Sequence, residues 1–155
     1  MRIHKVIELG LEIWTEATPE WDTRLERIDE QSRFVAETPA LTYPPAGMTW
    51  VSKPHSLFAE NEVESAARGA IDRIAHGYGV PESSAIELKM AHYGDLTGFQ
   101  ADFSAPRRTT PVDVRIFLGH KPGRAAVVMQ ASTLQGKLRH IDEHIRRSWT
   151  NVRYL

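Results

Sequence analysis

Residues 84–131 read SAIELKMAHYGDLTGFQADFSAPRRTTPVDVRIFLGHKPGRAAVVMQA, and this stretch decides the fold. It divides into four β-rich runs, SAIELKMAHY, LTGFQADFS, PVDVRIFLG and RAAVVMQA, separated by turn chemistry. Gly94-Asp95, the basic loop Ala105–Thr110 with Pro106, and Gly119–Gly123 with Lys121-Pro122 are the punctuation. A parallel crossover needs about a dozen residues. No break is that long, so the spacing predicts neighbours that pair antiparallel as a meander. In the third run Val112, Val114, Ile116 and Leu118 share one face, with Asp113, Arg115 and Phe117 on the other. In the second, Phe99, Ala101 and Phe103 share a face in the same way.

Two helical patterns flank the strands and are predicted to cover the sheet. Over about 61–77, Val63, Ala67, Ala70, Ile71, Ile74 and Tyr78 form a stripe of 3.6 periodicity, with Asn61 and Glu64 placed like a capping box. Gly77, Gly79 and Pro81 stop it. Over about 133–149, Leu134, Leu138, Ile141, Ile145 and Trp149 form a second stripe, with Ser132 or Thr133 as N-cap. The expected fold class is α+β: an antiparallel meander sheet covered by two amphipathic helices, in one domain over residues 1–155.

Toward the N-terminus the pattern is less regular. Residues 2–14 alternate well enough for one strand. From 15 to 54, Thr18-Pro19, Thr38-Pro39, Pro44-Pro45, Gly47 and Lys53-Pro54 predict an irregular segment. Within it, Trp21, Leu25 and Ile28 at i, i+4, i+7 predict a short helix near 19–31, and Gln31–Val35 a brief strand. Residues 38–54 read as a long connection carrying Tyr43, Met48 and Trp50. Aromatic residues and Met on such a segment either cover the core or contact a partner. Trp21, Tyr43, Met48, Trp50, Arg107 and Arg108 are the candidate partner-binding residues.

The chain has no cysteine, which fits a reducing compartment. Its start carries Glu8 and Glu12 and no long apolar run, so a secretory signal and a membrane span are not expected. The reading is cytoplasmic. Net charge is −1 overall, yet residues 1–64 carry −6 and residues 105–155 carry +7. Either the two parts pack together or one of them faces a charged partner.

No phosphate-binding glycine loop and no nucleophile elbow occurs, so no cofactor is expected. His140-Ile141-Asp142-Glu143-His144 matches H-x-x-E-H, and His140 and His144 share a helix face as metal ligands would. The acidic third ligand expected downstream is missing from IRRSWTNVRYL. A small metal-dependent hydrolase is therefore the alternative reading, not the first. Arg107, Arg108, Arg115, Lys121 and Arg124 could form a basic patch for a polyanion. Interleaved aromatics are lacking, and a nucleic-acid partner is disfavoured.

Leu96-Thr97-Gly98-Phe99-Gln100, Val112–Leu118, Ala125–Met129 and the helix after them, in that order behind a Pro-rich N-terminal region, resemble the PsbP/DcrB-like fold. The resemblance covers roughly residues 55–150. It implies a non-enzymatic protein, and it implies kinship with small cytoplasmic bacterial members such as adaptor chaperones of type VI secretion effectors. The expectation is a protein-binding module: a secretion-effector adaptor chaperone or a toxin-neutralising immunity protein. An exposed meander edge is also compatible with a homodimer.

Overall fold

The computed structural model describes residues 1–53, 59–80, 85–106 and 109–155. The architecture is mixed α+β and mostly antiparallel. In chain order the elements are β1 (Arg2–Val6), β2 (Leu11–Thr15), β3 (Asp22–Ile28), β4 (Gln31–Glu37), β5 (Ala46–Lys53), α1 (Val63–Gly77), β6 (Lys89–Tyr93), β7 (Leu96–Ala105), β8 (Val112–His120), β9 (Ala126–Leu134), α2 (Leu138–Thr150) and β10 (Arg153–Tyr154). Seven strands form one sheet in the order β3-β4-β5-β9-β8-β7-β6, while β1, β2 and β10 form a small second sheet. Every pairing is antiparallel.

The two helices lie on opposite faces of the large sheet. On β8, Val114, Ile116 and Leu118 point to α1, where Ala67, Ala70, Ile71 and Ala75 are buried against them and against Ala101 and Phe103 of β7. The small side chains of α1 let it sit close to the sheet. Phe117 points the other way, into a cluster with Tyr93 and Trp149 whose ring centroids are 5.0 Å (Tyr93–Phe117) and 5.2 Å (Tyr93–Trp149) apart. There α2 buries Ile141, Ile145 and Trp149, and the hairpin of β1 and β2 adds Leu11 and Ile13.

Four sequence expectations change. The short helix near 19–31 is absent: β3 and β4 form a hairpin, closed at Asp29-Glu30 with both φ values positive. The apolar spacing of Trp21, Leu25 and Ile28 imitates a helix by coincidence. Cross-strand pairs Arg24–Glu37 and Glu26–Arg33 settle the strand instead. The irregular connection over 38–54 contains β5, which joins β4 to β9. The prolines flank it, Gly47 is accommodated within it, and Met48, Trp50 and Ser52 alternate inward. The single N-terminal strand over 2–14 is two strands, broken by a turn at Ile7–Leu9 with Gly10 at φ 66°. The C-terminal helix starts at Leu138, because Ser132–Leu134 still belong to β9 and Gly136 turns at φ 82°.

Candidate functional site

The unusual feature is the face of the sheet beside α1. Helix α1 lies over β7 and β8 and reaches β9 at Val128 and Gln130, where Gln130 Nε2 donates to the Tyr78 hydroxyl at 2.7 Å. Past that point, among the described residues, neither helix makes an extended contact with β5, β4 or β3 on this side. Side chains alternate across a pleated strand, so register with Gln130 assigns the exposed floor. Thr49 is opposite Gln130, Val51 opposite Val128, Gly47 opposite Ser132, and Val35 opposite Thr49. Thr49 and Val51 are half-buried. The floor thus alternates valines with uncharged polar side chains at the middle of the sheet.

The walls differ in character. On one side stands α1, and the cleft at its foot, about 430 Å³, is lined by Ala66, Gly69, Leu118, Ala126 and Val128 with Arg73 at the rim. On the other side β3 and β4 present a ladder of ion pairs. Arg24 donates to Glu26 (2.7 Å) and Glu37 (3.0 Å), and Arg33 donates to Glu26 (2.8 Å). A second cleft of about 360 Å³ lies at the far end, between Gly47, Ser132, Leu134 and Pro45. From Ala126 to Leu134 the floor is about 27 Å long, at about 3.3 Å per residue. That is the length of a helix of about 18 residues.

The six partner-binding candidates fall in different places. Trp21, Met48 and Trp50 are core residues. Met48 and Trp50 face the α2 side of β5, packed with Phe34 and Met129. Tyr43 is 71% exposed on the loop between β4 and β5, with Lys137 Nζ 5.8 Å from its ring centroid. Two residues before it, Leu41 is fully exposed at φ 68°. Arg107 and Arg108 lie outside the described residues. The floor residues Thr49, Val51, Val128 and Gln130 were missed by sequence reasoning. Their signal is an alternation in β5 that is visible only once residues 46–53 are taken as a strand.

His140 and His144 are not brought together with a third ligand. His140 is exposed, and His144 Nδ1 lies 2.7 Å from Glu16 Oε1 at the edge of the small sheet. No cluster of three or more His, Asp or Glu side chains suited to a metal occurs among the described residues. Glu16 is also paired with Arg147. Burial alone would raise the Glu16 pKa, but the hydrogen bonds with His144 and Arg147 outweigh it and hold the carboxyl below its ordinary value of 4.5. Replacing Glu16 by Gln is expected to cost about 1–2 kcal/mol at pH 7. The native carboxyl binds its proton less readily than the unfolded one, so its contribution is complete above pH 4.5 and fades as pH falls through the lower native pKa. Denaturant titrations of both proteins should therefore converge in strong acid.

The charge asymmetry has the same explanation, since Glu16 of the acidic part meets Arg147 of the basic part. Two cations of the basic hairpins, Arg115 and Arg124, are engaged too. Arg115 is largely buried between Asp102 and Asp142. Burial alone would lower its pKa, but those two carboxylates outweigh it and raise the pKa above its ordinary value. Arg124 lies over the Tyr154 ring, 4.4 Å from its centroid.

No protein-family model and no curated protein matches the chain. Among solved structures, a protein of Bacteroides thetaiotaomicron aligns with TM-score 0.62 at 8% identity, over 99% of this chain and 48% of that one. This chain therefore spans about half the length of that relative. LpqN of Mycobacterium tuberculosis, described as involved in cell envelope biogenesis, aligns with TM-score 0.58 at 12% identity, over 92% of this chain and 81% of that one. At these identities the likeness is one of fold. Among the described residues no helix is long and apolar enough to cross a membrane.

Proposed function

We propose that the protein is a non-enzymatic protein-binding module, and that its site is the open sheet face beside α1. The observation that carries this is the pair Thr49 and Val51, half-buried on a middle strand of the sheet over which, among the described residues, neither helix packs on this side. Its length and its apolar, small-residue wall suit a helical segment of a partner laid in the groove. This favours an adaptor chaperone for a secreted effector over an immunity protein. The acidic face that would steer a basic toxin is reduced, because Glu16, Glu20, Glu26 and Glu37 each pair with an arginine of this chain. The reading places the protein in the cytoplasm, without a cofactor.

The test is affinity capture from the native cell with wild-type protein and with Thr49→Arg. Thr49 is half-buried, so the arginine reaches solvent and the fold should keep its melting temperature. The wild type should retain one stoichiometric protein partner that the variant loses by about tenfold or more. A partner held equally by both proteins, or by neither, removes the groove as the site. Capture of a second copy of this chain would make the groove a dimer interface instead.

A further inference from the structure

A different pocket lies on the opposite flank of α1, at the other edge of the sheet. It measures about 170 Å³ and is walled by Val63, Met90, Phe99 and Pro122 over the backbone of Gly98. Its polar groups are His120, Thr97 and Glu60. His120 closes β8 and is 5% exposed, yet its Nδ1 is buried with no hydrogen-bond partner among the described residues. An orphaned buried polar atom costs about 1–3 kcal/mol. The other orphaned atoms, on Trp50, Asp72 and Trp149, belong to side chains that line neither this pocket nor the two clefts of the groove. An imidazole nitrogen left unsatisfied at the wall of an apolar pocket has a physical use: it keeps a hydrogen-bonding group in reserve for something that enters.

The three polar groups agree on what that is. The Glu60 carboxylate is acceptor only, the Thr97 hydroxyl can accept, and His120 Nδ1 accepts in the Nε2–H tautomer that such a ligand would select. Thr97 Oγ1 is 3.1 Å from His92 Nδ1 and keeps a free lone pair in that arrangement. Among the described residues no cation lines the pocket. A cavity of about 150 Å³ holds a benzene ring, so the walls admit one ring or a branched aliphatic group. We propose that this pocket binds a small amine: a compact apolar body with an N–H donor head that hydrogen-bonds His120 and faces Glu60. The amine could be a free molecule or a lysine side chain of a docked protein.

The test is titration of ¹⁵N-labelled protein, followed by amide shifts, with benzylamine, benzoate and N-acetyl-lysinamide as probes. Benzylamine should give saturable shifts at Thr97, Gly98, Phe99 and His120, and benzoate should bind about tenfold more weakly or not at all. Glu60→Gln, at an exposed position, should weaken benzylamine by about fivefold or more without altering the fold. His120→Leu should do the same and also remove the orphaned atom. Tighter binding of N-acetyl-lysinamide than of benzylamine would assign the amine to a protein side chain, and the reverse order to a free molecule. Absence of saturable shifts at these residues, or equal affinity for benzoate and benzylamine, overturns the proposal. So does unchanged affinity in both variants.

Discussion

Ile141→Asp is expected to leave the protein unfolded in water at neutral pH. Ile141 is 3% exposed, and with Ile145 and Trp149 it is the stripe by which α2 holds the sheet. Truncating such a side chain costs about 2–5 kcal/mol. The aspartate adds an unpaired charge among apolar neighbours, at a further cost of several kcal/mol. Domains of this kind are stable by about 5–15 kcal/mol, so the sum consumes most or all of the margin. Far-UV circular dichroism and a thermal melt decide it. A cooperative melt within a few degrees of wild type would mean that α2 is not what closes this face.

The second large effect concerns Gly98. A Cβ built there would lie 2.0 Å from the Leu118 carbonyl oxygen and 2.5 Å from Gly119 Cα. Gly98 pairs with Gly119 across β7 and β8, and the two backbones approach where no side chain fits. Gly98→Ala should cost about 3 kcal/mol or more, because both obstructing groups are backbone and cannot step aside. Gly47 is the internal comparison. Its Cβ would meet ordinary contacts at 3.7 Å, so Gly47→Ala should be neutral, or stabilise by up to about 1 kcal/mol through the unfolded chain. Denaturant midpoints of the pair test the difference. Equal midpoints would show that the strand crossing relaxes at little cost.

Those two sites mark what the sequence could and could not disclose. The stripe containing Ile141 is legible as periodicity, and the strands from β6 to β9 are legible as apolar runs divided by turns. Helix α1 was legible within a residue or two. The N-terminal third was not. In β3 the charges Arg24 and Glu26 have meaning only beside Glu37 and Arg33 of β4. In β5 the punctuation at Pro44-Pro45 and Gly47 hides a strand held by partners on both sides. Strand identity there is a tertiary property, set by pairing and not by local propensity. The groove was illegible for the same reason, since its floor is made where β5 meets a strand some eighty residues away. The exposed aromatic Tyr43 was found, but Trp21, Met48 and Trp50 were drawn to the core by their size.

The order of the seven strands also governs how the chain must be made. Strands β3, β4 and β5 leave the ribosome first and can close among themselves, but β5 then waits for β9. Residue Ala46 pairs with Thr133 and Ser52 with Val127, so the missing neighbour is synthesised some eighty residues later. Until then Ala46-Gly47-Met48-Thr49-Trp50-Val51-Ser52 is an uncharged strand edge guarded only at its ends, by Pro45 and Lys53. Such long-range closure is slow. During translation the nascent N-terminal half is therefore the aggregation-prone species of this protein, and the emergence of β9 is the event that ends its exposure.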